Sequence, residues 1–311
     1  MRIFSCILTF VSISIGPIYS NIDPMKYDPF PTIESLVEKK ILEQCVELFR
    51  KAFHDFEKKN EVVFQTKNDG SLVSNLELEI ETVIGAFLQE ETPWAGFQGE
   101  EGVRYDATVG GNEYRWYLDP IDGTTSFYNG WDTFAFTLTL VKNSEALATV
   151  IDFPRLSRTY SAYLGRGAFL NQKPISLEHA LQSKKPILAL SDQYTFEMTQ
   201  RETVLYKLRT LPYIPRTVTD IYGYCMVAEG KCIAKFDAAG ALWDLWPGYL
   251  LIREAGGKCL FFSLPQQSED LVGSMLVGHP DIIDIIHFVL KDSIDEGILP
   301  NPDEKPSMRS P

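Results

Sequence analysis

Three groups of acids stand where regular elements should end: Glu100 beside Glu101 in GEE, Asp119 with Asp122 in LDPIDGTTSF, and Asp244 in LWDLWPG. A hard cation such as Mg²⁺ takes oxygen ligands in octahedral geometry, a few carboxylates with waters and phosphate oxygens completing the shell. Pro120 should end the apolar run WYL and stiffen the turn, so that Asp119 and Asp122 converge on one point and the Ile121 carbonyl adds a further oxygen. Gly123 permits close backbone approach. Thr124 and Thr125 then open a helical turn whose free N–H groups suit a phosphate. The segment reads as one that holds metal with its acids and a small phosphorylated substrate with its backbone. Each piece alone is also an ordinary turn, since Asp-Pro followed by Asp-Gly is a common turn pairing. The combination with the other acids is what favours a site.

The rest of the composition narrows the class. The chain has 311 residues, 45% of them hydrophobic, and a formal net charge of -13. It has no basic run or stripe, which argues against nucleic acid as a partner. Its four histidines are far apart in sequence and none neighbours a nucleophile, so a Ser-His or Cys-His hydrolase has no support. The cysteines show no CxxC spacing and read as buried free thiols. Residues 1–20 carry one basic residue, a short apolar run and small residues near Ser20, the pattern of a secretory signal peptide. Cleavage would make the protein exported, to a periplasm or the exterior; without it the protein is cytoplasmic. No other stretch is long and apolar enough to span a membrane, so no stable insertion of the mature chain is expected.

The acids need elements to position them. An apolar stripe of Ile33, Leu36, Val37, Ile41, Cys45, Leu48 and Ala52 predicts one long helix from Thr32 to about Asn60. Lys67 to Ser71 reads as a turn, and Ser74 or Asn75 as the cap of a second helix running to about Gln89. WAGFQGEEG, residues 94–102, predicts a short strand ending in acids, and RWYL the strand before the Asp-Pro turn. FAFTLTLV and ALATVIDF form a hairpin across KNSE, and RTYSAY with GAFLNQKPI extends the antiparallel meander. From about Lys185 strands alternate with helices: PILALS, TFEMTQRETVLYKLRT, TDIYGYCMVAEG, CIAKF, LWDLWPGYLLIREAGG, KCLFF, SMLVG and DIIDIIHFVLK. The expected organisation is an N-terminal α+β half at 32–184 carrying the metal and phosphate residues, a C-terminal α/β half at 185–292, and a loose Pro-rich tail at 293–311.

GEE at 99–101, DPIDGTTSF at 119–127 and LWD with EAGG across 242–257 resemble the three ordered motifs of the inositol monophosphatase family, Mg²⁺-dependent and lithium-sensitive phosphatases. The likeness runs from about Glu34 to Leu290. It implies a layered sugar-phosphatase fold, with N-terminal helices on an antiparallel sheet followed by a C-terminal α/β layer. It also implies a homodimer, which the residues themselves do not show. Carried over, Glu100, Asp119 and the Ile121 carbonyl hold one Mg²⁺, and Asp119 bridges to a second completed by Asp122 and Asp244. Glu100 and Thr124 orient the attacking water, and the Gly123 and Thr124 amides hold phosphate oxygens. Asp122, Asp220 and Asp237 fall to substrate contacts. The chain departs from the family at Ser126, where Asn is usual, at bulky Trp246 followed by Pro247, and at Glu77, where Asp is usual near a third metal.

These residues leave the substrate open. Inositol monophosphate or another polyol phosphate suits the family motifs. Asp220 followed by YGY resembles the histidinol-phosphatase branch, where an acid would face an ammonium group; read locally, Asp220 also suits a helix N-cap. A non-catalytic metal-binding member of the family is the competing class, against which the intact set Glu100, Asp119, Asp122, Thr124 and Asp244 argues.

Overall fold

A computed structural model of the chain describes residues 32–59, 63–66, 72–111, 113–264, 271–295 and 297. The signal-like segment 1–20, the turn expected at Lys67 to Ser71 and most of the tail 293–311 lie outside the described residues.

The first apolar stripe forms two helices rather than one, α1 (Ile33–Glu38) and α2 (Ile41–Lys59). Between them Lys40 takes a left-handed conformation, with φ 53°. Neither Gly nor Pro marks the break. Packing imposes it: Leu36 turns onto the core while Ile41, Cys45 and Phe49 stay buried along α2. Strands β1 (Phe64–Thr66) and β2 (Leu72–Ser74) pair antiparallel and lead into α3 (Asn75–Glu91). Ser74 caps α3, and Glu77 closes a capping box with it, the S-x-x-E pattern that satisfies two orphan N–H groups at once.

Next come β3 (Gly96–Gly99), β4 (Arg104–Tyr105), β5 (Tyr114–Asp122), α4 (Thr124–Tyr128), β6 (Ala135–Lys142), β7 (Glu145–Phe153), β8 (Arg158–Tyr163), β9 (Gly167–Leu170) and β10 (Lys173–Ile175). Among the described residues these strands form one eight-stranded sheet in the order β10-β9-β8-β7-β6-β5-β3-β4. Only β3 and β5 run parallel within it. The expected hairpin is β6–β7, closed by a two-residue loop in which Asn143 and Ser144 both have positive φ, the turn whose twist matches antiparallel strands.

The second sheet contains β11 (Ile187–Leu190), β12 (Ile214–Thr217), β13 (Ala234–Gly240), β14 (Lys258–Phe262) and β15 (Gly273–Gly278), in the order β12-β11-β13-β15-β14. Strand β12 escapes the sequence reading because Pro215 interrupts it; as an edge strand it tolerates the missing donor. The helix expected over 195–210 is two, α5 (Gln193–Met198) and α6 (Glu202–Arg209), broken where Gln200 turns left-handed and Arg201 is drawn inside to bond the Ser263 carbonyl. Helices α7 (Asp220–Ala228), α8 (Leu242–Glu254) and α9 (Pro280–Leu290) complete the chain.

The layers follow from which faces are apolar. Helices α2 and α3 cover one face of the large sheet, α7 and α8 fill the space between the two sheets, and α5, α6 and α9 cover the outer face of the small one. On β13 the period of two sends Ala234, Phe236 and Ala238 to the outer core. Lys235 and Asp237 therefore face the middle layer. Among the described residues Cys45, Cys225 and Cys232 are buried free thiols, and Cys259 is a free thiol that is half-buried. No helix among the described residues is long and apolar enough to cross a membrane.

Candidate active site

Strand β5 does not end at Pro120. It continues through Asp122, and its pairing with β6 slips between Asp119, opposite Thr137, and Asp122, opposite Ala135. Three residues of β5 thus span two of β6, the signature of a bulge. In a regular strand side chains three apart point to opposite faces; the extra residue brings Asp119 and Asp122 to the same side. Proline suits the bulge because it has no N–H to lose from the ladder. The Ile121 N–H instead donates to Asp119 Oδ1 at 2.9 Å.

Asp244 joins them from the first turn of α8, its Oδ2 accepting the Ala241 N–H at 2.8 Å. Carboxylate oxygens of Asp119, Asp122 and Asp244 all lie within 4.8 Å of one another. Burial pushes Asp119 well above the usual carboxylate range, helped by the charges of Glu100, Asp122 and Asp244. Asp122 is pushed up by burial and then by Asp220 and Asp244, against the pull of the Ile221 N–H that it accepts at 2.9 Å. Asp244 is pushed up to about 8 by burial and the charge of Glu100. Acids this close ionise together only with positive charge among them. The donors are carboxylates, with the Ile121 carbonyl alongside, and no thiolate or imidazole. Such a set fits a hard divalent cation.

Glu100 follows β3 on the strand beside β5, with its N–H donated to Leu118 O at 3.0 Å. Its charge acts on Asp119, Asp122 and Asp244, so it belongs to the same cluster. Gly123 precedes α4 with φ 86°, a left-handed conformation that a side chain would strain. The Thr124 hydroxyl lies 2.9 Å from Glu77 Oε1 and 3.2 Å from the Ile121 carbonyl. The other Glu77 oxygen accepts the Ser74 N–H within the capping box. Glu77 thus enters the site as the partner of Thr124. The cap expected at Ser74 or Asn75 located the start of this helix, and only the fold shows the contact of Glu77 with Thr124.

Asp220 does not cap α7. The cap position is Thr219, Asp220 is the first helical residue, and φ at Asp220 is 56°. Its Oδ2 accepts the Thr219 hydroxyl at 3.0 Å, and a Cβ added at Gly123 would meet that oxygen at 3.2 Å. The carboxylate therefore faces the Gly123 turn. Burial raises it above its usual range, while the charge of Lys235 pulls it down. Asp237 sits within β13, where Oδ1 accepts the Ser191 hydroxyl at 2.7 Å and Oδ2 lies 3.4 Å from the buried Lys235 ammonium. Lys235, which sequence reading passed over, also donates to Val218 O at 3.1 Å and so ties Asp237 to the turn that presents Asp220.

Trp246, bulky where the chain departs from the family, is fully buried in the core between the sheets. Pro247 is the sixth residue of α8. A proline there deprives the carbonyl four residues back of its helical donor. That carbonyl is Trp243 O, and the Thr137 hydroxyl of β6 reaches it at 3.4 Å.

The inositol monophosphatase family model matches residues 34–277. The histidinol-phosphatase of Chlorobaculum parvum is 30% identical over 195 residues, which cover 62% of this chain and 74% of that one. The inositol-1-monophosphatase of Rhizobium meliloti is 29% identical over 210 residues, 65% of this chain and 77% of that one. Among solved structures, the extragenic suppressor protein SuhB of Bartonella henselae has the same fold, with a TM-score of 0.69 at 22% identity over 83% of this chain and 100% of that one. With acids from β5 and α8 gathered beside a left-handed glycine turn, and a family match spanning most of its length, the chain belongs to the inositol monophosphatase family, a metal-dependent family of phosphoric monoester hydrolases.

Proposed function

We propose that the protein hydrolyses a small polyol phosphate, such as inositol monophosphate, with Mg²⁺ as its metal. The observation that carries this reading is the convergence of Asp119, Asp122 and Asp244 within 4.8 Å. Glu100, Asp119 and the Ile121 carbonyl would hold one ion, and Asp119, Asp122 and Asp244 a second. Bound Mg²⁺ supplies the positive charge that activates water and offsets charge on the leaving oxygen. Thr124, with its proton committed to Glu77, presents lone pairs that orient the attacking water together with Glu100. The N–H groups of Gly123 and Thr124, at the open start of α4, hold phosphate oxygens. Asp122, Asp220 and Asp237 contact the alcohol portion. The test is phosphate release from a panel of phosphomonoesters with and without Mg²⁺. Release from no member of the panel at any Mg²⁺ concentration would reject it and favour a non-catalytic metal-binding protein.

Histidinol phosphate is the second reading. It is favoured by the placement of the Asp220 carboxylate against Gly123, and by the relative from Chlorobaculum parvum. An ammonium group on the substrate would meet Asp220 there.

Two further outcomes are expected. Lithium at millimolar concentration or below should inhibit turnover at saturating Mg²⁺, because a monovalent ion among Asp119, Asp122 and Asp244 supplies too little charge for the leaving oxygen. Full activity under those conditions would count against a second ion position of the proposed kind. N-terminal sequencing of protein from its native source should show cleavage near Ser20-Asn21; an intact Met1 on soluble protein would remove the case for export.

A further inference from the structure

We infer that Glu81 is a positioning residue for Glu100, gripping the turn that carries Glu100 into the acidic cluster; this rests on the proposed metal-dependent reading. Glu81 lies on α3 one turn after Glu77, so both project from one face of the helix toward the site. It is completely buried. One carboxylate oxygen accepts the Glu101 N–H, and the other accepts the Val103 N–H at 3.0 Å. The same turn is closed by Gly99 N–H donating to Val103 O at 2.9 Å and anchored to β5 by Glu100 N–H donating to Leu118 O at 3.0 Å. Glu100 is thus held between β5 on one side and the Glu81 fork on the other.

The fit extends to Gly99. A Cβ at that position would lie 2.1 Å from Glu81 Oε1, so the carboxylate fills the space a side chain would need. The glycine of GEE is explained by this contact, and Glu81 and Gly99 form one device. The chemistry requires a carboxylate. Its oxygens only accept, so both can face backbone donors, whereas an amide would turn an NH₂ group against one of them. A carboxylate with no surface exposure also needs such bonds to be held inside the protein.

The test uses the full chain as Glu81→Gln and Gly99→Ala, with Ile80→Val as a control that trims the buried side chain next to Glu81 without touching the turn. Three quantities are read: hydrogen exchange at the Glu101 and Val103 amides, Mg²⁺ affinity by calorimetry, and KM at saturating Mg²⁺. In both test variants exchange at those amides should speed up. Mg²⁺ affinity should fall by about 10- to 100-fold, the usual cost of removing a partner that orients a metal ligand. KM should stay close to wild type once Mg²⁺ saturates, and Ile80→Val should lower the melting temperature without changing Mg²⁺ affinity. Faster exchange with unchanged Mg²⁺ affinity would overturn the inference, as would an equal affinity loss in Ile80→Val. Loss of the fold in both test variants would make Glu81 a structural residue and overturn it as well. If the wild-type protein itself binds no Mg²⁺, the proposed function fails and the inference with it, an outcome distinct from the others.

Discussion

Asp119→Asn is expected to lower phosphatase turnover on the order of a thousandfold or more, because it removes the charge proposed to bridge two cations while keeping the side chain's shape. The amide oxygen can still accept the Ile121 N–H, so circular dichroism should remain native. The same variant has a second, opposite signature in metal-free protein. Burial and the charges of Glu100, Asp122 and Asp244 raise the Asp119 carboxyl well above its usual range. A raised folded pKa means that the protonated form is the one the fold favours. Its stability is fully present below the unfolded value of about 4 and is lost as pH rises through the folded value. Asparagine has no proton to lose. In the presence of a chelator, Asp119→Asn should therefore melt higher than wild type at pH 7 to 8, with the difference shrinking toward about pH 4. Saturating Mg²⁺ should reverse the order by stabilising wild type more. Wild-type turnover in the variant would remove Asp119 from the mechanism, and a melting difference independent of pH would show that its carboxyl is not crowded by its neighbours.

The second large effect concerns substrate choice. Asp220→Asn keeps the side chain's size and tolerates the left-handed backbone at this position, φ 56°, which asparagine adopts more readily than most residues. If the substrate carries an ammonium group, the variant loses a partly desolvated charge pair worth on the order of 2–5 kcal/mol, or roughly 30-fold to several thousandfold in KM. For a neutral polyol phosphate KM should rise far less, by about tenfold at most for one lost hydrogen bond, and kcat for that substrate should stay near wild type. Asp220→Ala should behave alike kinetically but melt lower, since alanine is strained in the left-handed region. No helix cap is lost in either, because Thr219 holds the cap position. Measuring both constants for histidinol phosphate and inositol monophosphate decides the matter. Equal changes for the two substrates would leave Asp220 without a role in specificity.

What was legible in the sequence was local. Residues 119–128 sit next to one another, so two neighbouring acids, a glycine suited to close backbone approach and a hydroxyl at a helix start could be read there, although the strand runs on past Pro120. The β6–β7 hairpin and the strand–helix alternation after Lys185 were readable for the same reason: short-range periodicity and turn chemistry determine them. Family motifs then tied Glu100 and Asp244 to that segment across intervals that no local rule spans.

The tertiary structure decided everything that depends on register or on a distant neighbour. Pro120 looks like a strand terminator, yet β6 pairs on both sides of it, and only that pairing shows the bulge that turns Asp119 and Asp122 to one side. Lys40 and Gln200 break helices with no glycine or proline, because burying Leu36 and Arg201 outweighs local helix propensity. Asp220 has a cap's residue type but not a cap's geometry, since its carboxylate is drawn to the Gly123 turn from 97 positions earlier. Glu81 and Lys235 looked like ordinary helix and strand residues, and Glu77 was legible only as a departure from the Asp usual near a third metal. Burial next to a hydroxyl, two amides and a carboxylate gave them their partners, and a buried polar group has to find such partners wherever the fold brings them.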